Sequence, residues 1–208
     1  MATPAKTQLV PFDRLTATAV AIDRPNVDTD QIIPARYLAL PRDEQVAHLF
    51  HDLRYRDDGS ARDGFPLNEP TAAGAQIMIA ERNFAFGSSR ENAVSVLVDN
   101  GFRVFIAPSF GDIFNNNCFQ NGALPIRLPE ERIREMIDHL ARRPDAHITV
   151  DLDAQTVTGP DNWTQSFEID SFRKQCLLTG SDDISLTLRH EADIAAFERR
   201  AETQTDWL

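Results

Sequence analysis

The sequence has little cysteine, no long apolar run and no excess of positive charge, and each absence excludes a class of protein. Two cysteines in 208 residues are too few for a disulfide framework, and Cys118 and Cys176 are too far apart for a C-x-x-C metal site. We expect both to be buried thiols. Three or four cysteines ligate a four-iron cluster, so this chain alone is expected to carry neither such a cluster nor a metal site.

No apolar stretch approaches the roughly 20 residues that cross a bilayer, and the N-terminal MATPAKTQLVPFDR lacks an apolar signal core. We therefore expect a cytoplasmic protein without a membrane partner. The formal net charge of −11 argues against a nucleic-acid partner, because nucleic-acid binders displace counterions from phosphates with basic surfaces. The length and the hydrophobic content of 42% suit a single domain over residues 1–208.

Two short apolar runs predict buried strands on either side of a helix. Ile77–Ala80 and Val104–Ala107 are typical of strands covered on both faces. Residues 88–98 between them predict a helix, which Gly101 would close. Ser88 followed three residues later by Glu91 is typical of a capping box. Strand, helix and strand at this spacing predict a parallel pair.

Apolar periodicity, turn residues and capping residues predict further elements along the chain. These are a strand over residues 15–22, a helix around Val46 to Leu53 in an otherwise irregular polar stretch, a short helix that Ser109 caps and Phe110 begins, a helix over residues 129–143, a hairpin over residues 148–159, and a last helix over residues 191–200 with Ile194 and Phe197 inward.

The turn GSSRE, residues 87–91, is the strongest candidate for chemistry. A helix N-terminus offers free amides and a positive dipole end, and the Arg90 fork can hold a carboxylate with two hydrogen bonds. Ser88 and Ser89 add two hydroxyls. On these residues alone, the plainer alternative is a capped helix with an exposed arginine, which is the commoner meaning of an isolated S-x-x-E.

Four segments resemble a known family. FGSSRENA resembles the GSSREHA motif in the swivelling domain of the aconitase superfamily. NVDTDQIIP, APSFGDIFNNNCFQNGALPI and FEIDSFRKQCLLTGSDDISLTL resemble hallmarks of 3-isopropylmalate dehydratase small subunits. The resemblance covers nearly the whole chain. It implies an α/β fold, the swivelling β/β/α domain, with a mixed sheet and flanking helices.

The resemblance also implies an activity. The chain would be the small subunit of a hydro-lyase that isomerises 2-isopropylmalate to 3-isopropylmalate by dehydration and rehydration in leucine biosynthesis. It would be active only with a large subunit, which would carry a 4Fe-4S cluster acting as the Lewis acid on a small dicarboxylate substrate.

The family motifs imply a role for each candidate residue. Ser88 would be the base that removes a proton from the substrate, and Ser89 and Arg90 would bind the substrate. Arg42 would join them when a loop closes. Asp30 would lie at the edge of the site and orient a cation or a hydroxyl, although Asp28 and Asp30 could instead cap a short helix.

The chain departs from the family pattern around the site. Phe86 stands where the family has cysteine, Asn92 where it has histidine, and Asp43-Glu44-Gln45-Val46 where it has TGFG. These departures leave two alternatives open. One is a divergent paralogue acting on another alkylmalate, such as citramalate or dimethylmalate. The other is a non-catalytic module, which the joint presence of the candidate residues argues against.

Overall fold

Seven β-strands lie within the residues that the computed structural model describes, which are 9–87, 90–181, 187–188 and 190–204. They are β1 Arg14–Ile22, β2 Ile77–Ala80, β3 Val104–Ala107, β4 Leu124–Arg127, β5 His147–Asp151, β6 Thr156–Thr158 and β7 Thr164–Ser166. All belong to one sheet of order β4-β3-β2-β1-β5-β6-β7. Strands β1 to β4 are parallel, and β5 to β7 pair in antiparallel fashion, beginning with β5 on β1. The predicted mixed sheet is confirmed.

Helices connect and cover these strands. Over the described residues they are α1 Thr29–Ile32, α2 Arg42–Gln45, α3 His51–Arg54, α4 Glu91–Asp99, α5 Asp112–Gln120, α6 Glu130–Arg142, α7 Ser171–Thr179 and α8 Glu191–Gln204. Short 3-10 turns lie at Ala35–Tyr37, Val46–His48, Pro66–Asn68, Pro70–Ala72 and Pro160–Asn162. In this part of the chain, no helix is long and apolar enough to span a membrane.

The sheet divides the core into two layers, because successive side chains of a strand point to opposite faces. Met78 and Phe105 pack on what we call the front face, with α4, α5 and buried residues between 27 and 75. Ile79 and Ile106 pack on the back face, with α6 and α7. The buried residues of α6 recur at helical spacing, as predicted; they are Ile133, Met136, Ile137 and Leu140.

The start of α4 differs from the prediction. Its N-cap is Arg90, which makes no side-chain capping bond among the described residues, so Glu91 is the first helical residue and not the third residue of a capping box. Ser88 lies outside the described residues. The other end agrees with the prediction, since Gly101 follows the C-cap Asn100 with a left-handed φ of +99°.

Helix α5 begins two residues later than predicted, at Asp112, with Gly111 as its N-cap. Ser109 does not cap it, because the Ser109 hydroxyl accepts the backbone N–H of Asn83 at 2.8 Å. Phe110 forms a parallel bridge with Phe84. These contacts hold the chain after β3 against the turn after β2, and the helix starts only beyond them.

Two further helix predictions are wrong in part. The helix expected over Val46 to Leu53 is divided, because Phe50 has a φ of +53° and its N–H donates to the carbonyl of Ile32 at 2.7 Å. Helix α8 exists, but Ile194 and Phe197 are 39% and 66% exposed instead of inward. An apolar stripe is buried only where another element covers it, and within the described residues none covers this one.

Candidate active site

The turn after β2, residues 81–87, has a left-handed backbone at every second residue from Asn83 onward. The angle φ is +58° at Asn83, +56° at Ala85 and +105° at Gly87. A left-handed backbone costs an alanine about 1–2 kcal/mol. Such residues cluster at functional sites, where the surrounding structure holds them in place.

The loop after β3 holds this turn. The Ser109 carbonyl accepts the N–H of Phe84 at 3.0 Å, and the N–H of Gly111 donates to the Phe84 carbonyl at 3.0 Å. A Cβ added at Gly111 would lie 2.5 Å from the carbonyl oxygen of Ala85, so the two loops can approach this closely only with glycine there. The shape of the turn is therefore set by its neighbour as well as by its own residues.

Helix α1 lies beside the same turn. The Asp28 carboxylate accepts the N–H of Gln31 at 2.7 Å, and the Gln31 side chain accepts the N–H of Asp28 at 3.2 Å. This is a capping box, so Asp28 has the structural role that we considered for it. The N–H of Thr29 donates to the carbonyl of Phe86 at 3.1 Å and joins α1 to the turn.

The structure brings Asp30 and Arg90 together, although they are 60 positions apart in the chain. The Asp30 carboxylate forms an ion pair with the Arg90 guanidinium, and their side chains are 54% and 22% exposed. Arg90 is also the N-cap of α4, where free amides and the helix dipole attract anions. An arginine that already holds one carboxylate at a helix N-terminus has the chemistry for a carboxylate-bearing substrate.

Arg42 lies elsewhere. Its Nε and Nη2 donate to the carboxylate of Asp99 at 2.6 and 2.9 Å, at the last turn of α4. Asp99 is about 13 Å along the helix axis from Arg90. The hydrogen bonds to Asp99 raise the pKa of the Arg42 guanidinium. Arg42 is therefore engaged at the end of α4 opposite to Arg90 and is not grouped with Asp30 and Arg90.

Ser88 and Ser89, the predicted base and a predicted substrate ligand, lie outside the described residues. Their chain neighbours are described. A Cβ added at Gly87 would lie 3.7 Å from the hydroxyl oxygen of Thr29 in α1, and Arg90 starts α4. The two serines therefore lie in the sequence between the turn beside α1 and the N-terminus of α4.

One contact and one backbone conformation near the site were not predicted from the sequence. Gln45 is only 4% exposed, and its side chain accepts a hydrogen bond from the Asn92 amide at 3.0 Å. Gln45 and Asn92 both lie where the chain departs from the family pattern, and two such departures are the signal in the sequence that could have indicated a contact between them. The left-handed Ala85 was also missed, although the family motif NFGCGSSR has glycine at its position.

The described residues do not suit a metal or an iron–sulfur cluster. They contain no group of three or more His, Cys, Asp or Glu side chains placed to hold a metal ion. Cys118 is completely buried, and burial raises the pKa of its thiol well above the ordinary value, which opposes thiolate formation. Cys176 is buried in α7.

Comparison with protein families places the chain in a class. A family model described as the aconitase C-terminal domain matches residues 11–131, which contain β1 to β4 and all the predicted site residues. A model described as LeuD_N matches residues 135–171, and the model for the C-terminal domain of the 3-isopropylmalate dehydratase small subunit matches residues 183–208. The fold is thus that of an aconitase-type swivelling domain, as the motifs implied.

Individual relatives narrow the class. The 3-isopropylmalate dehydratase small subunit of Paramagnetospirillum magneticum is 48% identical over 198 residues, which cover 95% of this chain and 98% of the relative. That of Leptospira interrogans is 49% identical over 201 residues with the same coverage. A solved 3-isopropylmalate dehydratase from Methanocaldococcus jannaschii superposes with a TM-score of 0.64 at 24% identity, covering 88% of this chain and 99% of that one. The chain belongs to the family of 3-isopropylmalate dehydratase small subunits.

Proposed function

We propose that this chain is the small subunit of a two-subunit hydro-lyase that isomerises 2-isopropylmalate to 3-isopropylmalate in leucine biosynthesis. The observation that carries the proposal is the identity of about half of all residues with curated small subunits along 95% of the chain. The pairing of Arg90 with a carboxylate at the start of α4 supports it, because the substrate of such an enzyme bears carboxylates.

In this proposal the N-terminus of α4 binds one substrate carboxylate. Arg90 supplies two parallel hydrogen bonds, and the free amides of the first turn supply a positive potential. Asp30 holds the guanidinium in place between turnovers and orients it. Arg42 could take part only after release from Asp99, so we assign it a role in a closed state of its loop.

Ser88 is proposed as the group that removes the proton from the substrate carbon next to the hydroxyl-bearing carbon. On rehydration it would deliver a proton to the carbon that had carried the hydroxyl, while water adds to the other carbon. A serine hydroxyl is a weak base at neutral pH, so an alkoxide needs strong stabilisation. Arg90 follows Ser88 by two positions, and both its charge and the dipole of the helix that it caps have the sign that stabilises an alkoxide. Ser89 is proposed as a second hydroxyl that binds the substrate.

The partner is proposed to be a large subunit that carries a 4Fe-4S cluster. The small-subunit name of the relatives supports a large-subunit partner. The described residues hold no group suited to a metal, which supports placing the cluster in that partner. The contribution of this chain is limited to carboxylate binding and proton transfer. The small dicarboxylate would thus be held between the two subunits.

The test is reconstitution of the purified chain with its cognate large subunit. We expect no turnover of 2-isopropylmalate by this chain alone and turnover by the mixture. Ser88→Ala should lower kcat by a hundredfold or more, because general base catalysis contributes about 10²–10⁴ in rate. Ser171→Ala removes an exposed hydroxyl from the start of α7 and is the matched control.

Three outcomes would contradict the proposal. Turnover by the isolated chain would exclude the two-subunit assignment. Normal turnover by Ser88→Ala would remove Ser88 from the mechanism. Faster turnover of citramalate or dimethylmalate than of 2-isopropylmalate, measured side by side, would favour the paralogue.

A further inference from the structure

Gln45, the last residue of α2, has a buried side chain whose hydrogen-bonding groups are all used. Its Nε2 donates to the carbonyl of Leu40 at 2.9 Å and to that of Leu38 at 3.4 Å, and its Oε1 accepts from Nδ2 of Asn92 at 3.0 Å. A flipped amide would place an oxygen against two carbonyl oxygens, so the orientation is fixed by the partners. Because this side chain is 4% exposed and all its polar groups are hydrogen-bonded, it links two defined parts of the chain, and we call Gln45 the connector.

The connector joins the site end of α4 to the chain that follows α1. Asn92 is the second residue of α4 and lies in its first turn, two positions after Arg90. The chain from Asp30 to Gln45 is therefore tied to that turn at both ends, by the pair of Asp30 with Arg90 and by the bond of Gln45 with Asn92. These two contacts hold the backbone between Asp30 and Gln45 beside the first turn of α4, where the substrate carboxylate is proposed to bind.

Other contacts hold the same segment at the far end of α4. Arg42 pairs with Asp99 in the last turn, and Nδ2 of Asn100 donates to the carbonyl of Val46 at 3.1 Å. These contacts lie about two and a half turns from Arg90. They hold the segment without touching the first turn of α4. Removing one of them therefore tests whether any contact between the segment and α4 affects substrate binding, or only a contact at the first turn.

We propose that Gln45 is a positioning residue, whose amide fixes the backbone of Leu38 to Leu40 beside the first turn of α4 and so sets the binding geometry at Arg90 before substrate arrives. The inference deepens the proposed function and rests on it. Pre-organisation of this kind lowers the cost of ordering at the moment of binding. Its loss is therefore expected in KM more than in kcat.

The test compares Gln45→Ala with Asn100→Ala in the reconstituted enzyme. Loss of the Gln45 bonds should raise KM for 2-isopropylmalate about tenfold and leave kcat within about twofold, the size expected from one or two buried hydrogen bonds. Asn100→Ala also weakens the attachment of the segment to α4, but at the far end, and should leave KM within about twofold even where the melting temperature falls. An unchanged KM in Gln45→Ala, or an equal rise in both variants, would overturn the proposal.

Gln45→Glu adds a rescue that a merely structural role would not produce. A glutamate carboxylate cannot donate to the carbonyls of Leu38 and Leu40, whereas the protonated acid can donate to one of them and still accept from Asn92. The KM of this variant should therefore approach the wild-type value as pH falls, while the ratio of KM in Gln45→Ala to KM in wild type stays constant. A constant ratio for both variants would contradict the positioning role.

Hydrogen exchange separates failure of this proposal from failure of the proposed function. Backbone amides of residues 37–46 in the isolated full chain should exchange faster in Gln45→Ala than in wild type, with a smaller change at residues 37–41 in Asn100→Ala. This result does not depend on which substrate is used. Inactivity of the wild-type mixture would refute the proposed function, whereas wild-type exchange in Gln45→Ala would refute the connector itself.

Discussion

The two faces of the sheet are built from different side chains. The front face is rich in aromatic rings, and Phe114 packs edge-on against Phe84 and Phe105 with centroids 5.5 and 5.4 Å apart. The back face is mainly aliphatic, with isoleucines from β2, β3 and α6 in contact. Branched aliphatic side chains fill a regular layer between a strand and a helix well, whereas large rings fill the space under irregular chain. The candidate site lies on the irregular, front side.

The backbone differs between the faces in the same way. Of the described non-glycine residues with a left-handed backbone, those in chain that covers the front face are Asn26, Phe50, Asn83 and Ala85, while Gln155 and Asp161 lie in turns of the antiparallel strands. The back face is covered largely by one regular helix, α6. Residues with an unfavourable backbone conformation thus lie mostly around the candidate site. Regular packing elsewhere in the fold supplies the stability that offsets their cost.

Of the contrasts between the two faces, the largest effect is expected for two arginines, one on each face, whose planar guanidinium groups bind different partners. Arg90→Lys keeps the charge but loses the planar fork, so kcat/KM should fall about 10- to 100-fold, the worth of one charge-assisted hydrogen bond. Arg134 of α6 pairs with the buried Glu81 and with Asp23, and is the matched control. Steady-state kinetics of the reconstituted enzyme and thermal melts of both variants provide the measurement.

Arg134→Lys should alter the melting temperature and leave kcat/KM within about twofold, because its carboxylate partners belong to this chain. If Arg90→Lys instead lowered only the melting temperature, Arg90 would be a structural cap residue like its back-face counterpart. The contrast between the faces would then be one of packing and not of function.

The second prediction concerns backbone strain at Ala85. Ala85→Gly removes the strain of a left-handed alanine, but it also raises the entropy of the unfolded chain and removes a buried methyl group. We expect a net gain of about 0.5 kcal/mol in the free energy of unfolding. Asp161→Gly is the control, since Asp161 is left-handed and exposed in the turn before β7. Both should unfold at slightly higher denaturant, and Ala85→Gly should leave kcat within about twofold, because the family motif has glycine at this position of the turn. A loss of more than about 1 kcal/mol in Ala85→Gly would show that Ala85 is not strained.

The sequence predicted best what depends on local pattern. The apolar runs of β2 and β3, the parallel pairing between them and the buried positions of α6 follow from periods of two and 3.6 residues, and each is confirmed. The family resemblance selected the turn before α4 as the site region. None of this required knowledge of which distant residues meet.

What the sequence did not predict depends on such distant meetings. Ser109 satisfies the amide of Asn83, 26 positions away, and so does not cap α5. Arg42 pairs with Asp99, 57 positions away, and so does not lie beside Arg90. Capping and loop rules rank only the partners available nearby, and a tertiary partner replaces them when it satisfies the same group.

The smallest expected effect is a pH dependence on the front side. The His48 ring stacks on Tyr37 with centroids 3.8 Å apart, and its Nδ1 is buried without a hydrogen-bond partner in the described structure. Burial, with the nearby His51 and Arg36, lowers the pKa of His48 below its ordinary 6.5, although Glu44 opposes this. The ring is therefore held in its neutral form.

The sign follows from proton uptake. Just below pH 6.5 the unfolded chain binds a proton at His48 that the folded chain does not. The contribution of His48 to the free energy of unfolding should therefore decrease as pH falls below 6.5 and stay constant well above it. One proton limits the slope to about 1.4 kcal/mol per pH unit. Asp52 does not interfere, because Arg36 lowers its pKa from 3.8 to about 2, and its contribution is lost only as pH falls through that range.

Urea titrations between about pH 5 and 7.5 measure this slope as the change in unfolding free energy. His48→Gln should flatten it, since the glutamine amide does not titrate. His147→Gln removes an exposed histidine from β5 and is the matched control for loss of an imidazole. If the pH slope of the unfolding free energy became equally flat in both variants, the effect would not be specific to His48. If the slope were unchanged in His48→Gln, His48 would not be the origin of the pH dependence.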